Sequence, residues 1–305
     1  MPEQQPAPPS GLRHWPSLAG IHGLRALATL PLPAHWIVGS ALGDLLRSAH
    51  GGRRRVVLRN LARCFPERDR DWHREVARRH YRAVGQSVLA SGIPWWVPRE
   101  RLQRMVRTRD QHHFDDAVEA GRNIILLAPH FVALEPCAMR IASERRIVTM
   151  YQRARNPVVD HYVRVRRTRF GGRLFERKEP LRTLVRSIRE GHPFYYLPDQ
   201  DPGPRRGMFA PFFGIPTWTY PILGRLAQMT DAVVIPCISR QLPRGRGFEI
   251  RFAAALSAFP DGDPQTDTRH MNAVIENAIR SQPEQYFWLH KRFKTRPEGE
   301  PDFYA

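Results

Sequence analysis

From residue 111 onward, apolar runs and helically periodic stretches take turns along the chain. The run NIILLA, Asn123–Ala128, is unbroken, apolar and of strand length. Arg146–Tyr151, Arg173–Glu176, Pro193–Leu197, Ala232–Arg240 and Phe248–Leu256 read as further strands. Between them Gln111–Ala120, Ala133–Ser143, Pro157–Thr168, Glu179–Arg189, Thr219–Met229 and Thr268–Ser281 read as helices. Strands alternating with helices predict an α/β fold: a largely parallel mixed sheet flanked by helices on both faces. In such a sheet, ligands bind beyond the carboxyl ends of the strands.

Upstream the pattern differs. Met1–Ser10, rich in Pro and Gln, reads as a disordered tail. Ala26–Gly43 is a run of 18 residues without a formal charge, interrupted by Pro31, Pro33 and His35. Its length is borderline for a membrane helix, and a buried amphipathic helix is the competing account. Arg47, Arg53, Arg54, Arg55 and Arg59 follow within thirteen residues, with no acid among them. Positive charge on that side favours a cytoplasmic location and anionic lipid. Residues 1–50 are therefore expected to be a tail plus an N-terminal membrane-associated helix, and residues 51–305 the catalytic domain. Helices are expected at Arg53–Cys64 and Asp71–Ala90, with Trp95-Trp96 in an interface belt or a buried loop.

Composition narrows the function. The 305 residues suffice for a large buried core. A mean hydropathy of −0.48 is too polar for a multi-span membrane protein. The net charge of +19 attracts polyanions: nucleic acid, anionic head groups or an acidic carrier protein. Against nucleic acid, no recognised binding motif is present, and the aromatics cluster in apolar runs. Cys64, Cys137 and Cys237 are widely spaced and odd in number, which suits neither a disulfide framework nor a zinc motif.

The chemistry concentrates after the first long strand. Pro129 and His130 follow Ala128 at its carboxyl end, and Glu135 and Pro136 come shortly after. Five residues on one regular helix is a turn of about 140°, so His130 and Glu135 do not face each other within one helix. Pro136 is tolerated only in a first turn, so the helix begins at or after Val132. His130 then sits on the entry loop and can fold back toward Glu135. A carboxylate beside an imidazole fixes its tautomer and makes it a general base for a hydroxyl. The free N–H groups of the helix start suit a developing oxyanion. Taken alone, an isolated His-x4-Glu pair is explained as readily by a structural hydrogen bond. No third ligand stands at metal-like spacing, and no G-x-S-x-G elbow is present. A metal hydrolase built on His130, Glu135, Asp199 and Asp201 is a rival reading.

The run APHFVALE resembles the His-x4-Asp/Glu motif of the lysophospholipid and glycerol-phosphate acyltransferases. More closely, the chain is similar to the late acyltransferases of lipid A biosynthesis, the lauroyl and myristoyl group. Five stretches carry the likeness: RNLARCFPE (Arg59–Glu67), YQRARNPVVD (Tyr151–Asp160), RRTRFGGRLFERK (Arg166–Lys178), LPDQDPGPRRGMFAPFFGIPT (Leu197–Thr217) and YFWLHKRFKTRP (Tyr286–Pro297). The chain has DQDPG where a Tyr often precedes the Gly in that group.

The resemblance implies a glycerol-phosphate acyltransferase-like fold and a reaction. A fatty acyl chain passes from acyl carrier protein to a hydroxyl of an acyl chain on a Kdo-bearing lipid A precursor, in lipopolysaccharide synthesis at the cytoplasmic side of the bacterial inner membrane. His130 acts as base, oriented by Glu135, and Arg167 meets the thioester oxyanion or a phosphate. No cofactor and no metal is implied; acyl carrier protein is a co-substrate, and lipid A precursor and inner-membrane lipid are the partners. Another glycerophospholipid or glycolipid acyltransferase is the alternative. Between Val163 and Arg189 stand nine Arg and one Lys against two Glu, including Arg169, which suits phosphates or an acidic carrier. Asp199 and Asp201 are candidates for substrate contact or for shaping a turn. Phe212 and Phe213, in the run MFAPFFGIP, are candidates for an acyl channel or an ordinary core strand.

Overall fold

In the computed structural model, residues 7–204 and 206–305 are described; residues 1–6 of the expected tail and residue 205 lie outside the described residues. Residues 7–10 carry no regular structure. The chain opens with helices α1 (Trp15–Leu27), α2 (Leu32–Ala49), α3 (Gly51–Cys64) and α4 (Arg70–Ala90), then the short α5 (Ile93–Trp96) and α6 (Arg99–Met105). Next come β1 (Val106–Arg109), α7 (His112–Glu119), β2 (Asn123–Leu127), α8 (Leu134–Glu144), β3 (Val148–Tyr151) and α9 (Pro157–Arg167). The series continues with β4 (Arg173–Glu176), α10 (Leu181–Arg189), β5 (Phe194–Tyr196), β6 (Met208–Phe212) and β7 (Ile215–Thr219). It closes with α11 (Leu223–Thr230), β8 (Ala232–Gln241), β9 (Phe248–Phe252) and α12 (Pro264–Ser281).

Seven strands form one sheet in the order β1-β9-β8-β2-β5-β3-β4. Its pairs are parallel except β8 with β9. The centre is apolar on both faces, as a parallel sheet covered twice must be. Ile125 and Leu127 point into one apolar cluster, Ile124 and Leu126 into the other, and all four are buried. α10 and α11 cover the first face, and α8 covers the second. The α/β expectation holds, with a mixed sheet that is mostly parallel.

Local sequence explains the helix ends. Asn156 accepts from the N–H groups of Val158 and Val159 and Pro157 opens α9, so the first turn is capped and preorganised. Asp263 and Pro264 do the same for α12, which starts four residues before the expected Thr268. α4 is capped by Asp69 and carries Glu75 beside Arg78 and Arg79, whose hydrogen bonds hold the Glu75 carboxyl down at about 2.

Three stretches depart from the sequence reading. The uncharged run Ala26–Gly43 is not one helix: the chain turns at residues 28–30, and Pro31 caps a new helix. Among the described residues no helix is long and apolar enough to cross a membrane. α2 instead lies against α4 at glycine contacts. A Cβ on Gly43 would collide with the Tyr81 backbone, and one on Gly85 with the Gly39 backbone. Asp44–Arg82 at 2.8 Å and Gln86 to Ser40 at 2.7 Å fix the pair. The second departure is β1, whose VRTR has too few apolar positions to read as a strand. The third is the stretch around MFAPFFGIP, which forms a hairpin, β6–β7, where the sequence suggests at most one core strand. Phe213 and Gly214 both have positive φ, as a two-residue hairpin turn of this hand requires.

Candidate active site

β2 and β5 are parallel neighbours, with Leu127 opposite Tyr196. Three residues further along each strand stand His130 and Asp199, so the register itself brings them level. Asp199 Oδ2 accepts the His130 backbone N–H at 2.9 Å, and Asp199 Oδ1 lies 2.7 Å from the ring Nδ1. The His130 carbonyl accepts from the Phe287 N–H, so the C-terminal segment clamps the loop from behind. Asp199 is 2% exposed. Burial pushes its carboxyl up, but the His130 ring and backbone N–H outweigh that and hold it down at about 2. A carboxylate only accepts hydrogen bonds, so Nδ1 donates to it, and in the neutral ring the lone pair falls on Nε2.

His130, Glu135, Arg167 and Gln200 help to line a cavity of about 950 Å³. Gln200 Nε2 stands 3.1 Å from His130 Nε2 and 3.3 Å from the ring nitrogens of His290. Burial, with His130 beside it, pushes His290 down to about 4, so this second imidazole is neutral at physiological pH. The site thus holds one imidazole backed by a carboxylate and one without.

Glu135 occupies the first turn of α8 and makes no hydrogen bond with His130. Its carboxylate takes a bidentate pair from Arg167, Nε at 3.0 Å and Nη2 at 2.6 Å, and the Trp95 indole N–H at 2.8 Å. Burial works against the Arg167 charge, yet Glu135 outweighs it and raises the guanidinium pKa. The carboxylate on the His130 ring is therefore Asp199, where the sequence reading placed Glu135. The entry loop turns His130 toward β5, not toward the helix it precedes.

The other expected site residues divide. Asp201 accepts from the backbone N–H groups of Gly203 and Thr295, each at 2.8 Å, so it ties its own turn to the C-terminal segment. Arg169 bonds to the Val97 carbonyl at 2.7 Å, lies over the Phe170 ring and is not in the cavity wall. Phe212 is fully buried against Phe293 and beneath Arg292; Phe213 packs on Phe65 and Trp288. Both lie outside the cavity wall, because the hairpin carries them into the core beside α12. Trp95, Gln200 and His290 were not foreseen as site residues. Asp199 was foreseen as a site residue but not as the partner of His130, a role that counting equal steps from paired strands would have found.

A histidine backed by a buried carboxylate, at the strand ends and lining a cavity, is equipped to take a proton from a hydroxyl. The sequence profile of bacterial lipid A biosynthesis acyltransferases matches residues 9–295. The chain is 32% identical to the lipid A biosynthesis lauroyltransferase of Escherichia coli (strain K12), covering 96% of this chain and 95% of that one. It is 33% identical to lipid A biosynthesis acyltransferase 2 of Shigella flexneri, over 88% of this chain and 84% of the relative. With the lipid A biosynthesis myristoyltransferase of Escherichia coli (strain K12) it shares 29%, over 94% and 90%. The chain belongs to the bacterial lipid A biosynthesis acyltransferase family, and it is an acyltransferase of lipopolysaccharide synthesis.

Proposed function

We propose that the protein moves a fatty acyl chain from acyl carrier protein to a hydroxyl of an acyl chain on a Kdo-bearing lipid A precursor. The observation that carries the mechanism is the His130–Asp199 pair, which puts the lone pair of the neutral ring on Nε2 in a residue that lines the cavity. Nε2 takes the hydroxyl proton as the oxygen attacks the thioester carbon. The carbon–sulfur bond then breaks, and the imidazolium returns the proton to the departing sulfur. Asp199 stabilises the imidazolium between those steps. Arg167 is aligned by Glu135 through Nε and Nη2, and Nη1 lies outside that pair. In this account Nη1 and the start of α8 receive the developing oxyanion. The net charge of +19 supports an acidic carrier and a phosphorylated acceptor.

The protein works, in this reading, on the cytoplasmic face of the inner membrane. Ile37, Val38 and Leu45 of α2 are exposed on the side away from Gly39 and Gly43, and Leu12 and Trp15 add to the apolar surface. The helices then lie in the interface, with the arginines that follow meeting anionic head groups. A strain lacking the gene tests the acceptor. Mass spectrometry should show lipid A short of one acyl chain. Unchanged lipid A together with altered glycerophospholipid would assign the acceptor to the other lipid class.

A further inference from the structure

We infer that the cavity holds two hydrocarbon chains at once, one on each face of the sheet, with the donor chain along α8 and the acceptor chain between α10 and α11. The inference rests on the acyl-transfer reading above and adds the partition of the substrates. β3 pairs with β5 only at Val148–Phe194 and Thr149–Tyr195. Beyond that point β3 stays with β4 through Tyr151–Glu176, while Tyr196 of β5 stays with β2. The sheet therefore forks at its carboxyl end, close to His130. The cavity wall draws on both apolar clusters that the sheet otherwise separates: Tyr195 belongs to one, Phe194 and Tyr196 to the other.

On the α8 side the wall includes Leu134, Ala138 and Ala142, spaced four apart on one helix face. Eight residues of helix rise about 12 Å, and small side chains at the second and third positions leave room alongside. The Glu135–Arg167 pair stands at the head of this stripe. A thioester carbonyl is the first carbon of its chain. Placed at the start of α8, it sends the tail down the alanine stripe.

On the opposite face the wall includes Leu181 and Leu184 of α10, Ile222 just before α11 and Leu226 of α11. Exposed Arg177, Lys178 and Arg206 also border the cavity. Anionic groups of a phosphorylated head fit that rim, and the chain bearing the reacting hydroxyl extends from it into the α10–α11 arm. The product is branched at the new ester, so two tails leave one point. A forked cavity accepts both without packing them into one channel.

Full-length Ala142→Phe and Leu181→Trp proteins test this against carrier thioesters of graded length and acceptors with long or short hydroxyacyl chains. Ala142→Phe should shift donor preference to shorter chains, with kcat/KM for the longest falling at least about tenfold against the shortest. Leu181→Trp should raise KM for the long-chain acceptor at least about tenfold, be relieved by the short-chain acceptor, and keep the donor preference. Ala142→Leu, a smaller insertion, should give an intermediate donor shift, and thermal melts report whether each variant folds. The inference is overturned if folded Ala142→Phe keeps the original donor profile, or if Leu181→Trp moves that profile in the same way. Failure of the unaltered protein to use any carrier thioester would instead overturn the acyl-transfer reading beneath it.

Discussion

Replacing Asp199 by Asn removes one charge and almost no volume. The Asn oxygen still accepts the His130 backbone N–H, so the loop keeps its anchor. What is lost is the charge-assisted bond to Nδ1 at 2.7 Å. Bonds of that kind contribute about 1.5–3 kcal/mol, which is about 10- to 150-fold in rate. The amide nitrogen also donates where the carboxylate accepted, favouring the tautomer with the proton on Nε2, and inversion of that kind costs up to ~10⁴ in kcat. The expected result is a fall in kcat/KM of at least about a hundredfold.

The pH profile gives an independent reading of the same change. The Asp199 carboxyl is held down at about 2, so it is charged throughout the assay range. Removing the carboxylate removes the charge that stabilises the imidazolium. The acid limb of kcat/KM should therefore move to lower pH. The assay is initial-rate transfer from labelled acyl carrier protein between about pH 5 and 9. Folded Asp199→Asn protein within about threefold of normal, with its acid limb in place, would refute the argument.

Other consequences follow from the same geometry. Glu135→Gln should lower kcat/KM at least about tenfold by loosening Arg167, and a shift of the acid limb in that variant would show that Glu135 acts on the base after all. Ile37→Asp with Leu45→Asp should weaken sedimentation with anionic vesicles at least about tenfold, without lowering the melting temperature. Gly85→Ala drives a methyl into the Gly39 backbone, so it should cost roughly 1–3 kcal/mol of stability, read as a lower Tm.

The central part of this fold was legible because parallel strands buried on both faces are continuous apolar runs. NIILLA and FYYLP declared themselves, and His130 was placed correctly at a strand end. Its partner was misassigned because the reading stayed local: Glu135 is five residues away in the chain, whereas Asp199 is level with His130 through the β2–β5 register. The N-terminal run misled for another reason. Its lack of charge suits lipid contact and close helix packing equally, and the turn before Pro31 decided which way the chain went. The hairpin β6–β7 escaped notice because Pro211 and Pro216 interrupt its alternation. Its phenylalanines consequently belong to the core and not to the cavity.

Transfer of an acyl group to a lipid A precursor through His130 can be measured directly. Purified full-length protein, acyl carrier protein thioester and a Kdo-bearing precursor test it together, with mass spectrometry of the lipid as the readout. The precursor should gain the mass of one acyl group, and folded His130→Ala protein should form this product at least about a hundredfold more slowly. No added acyl group with any carrier thioester, or comparable transfer by His130→Ala, would contradict it.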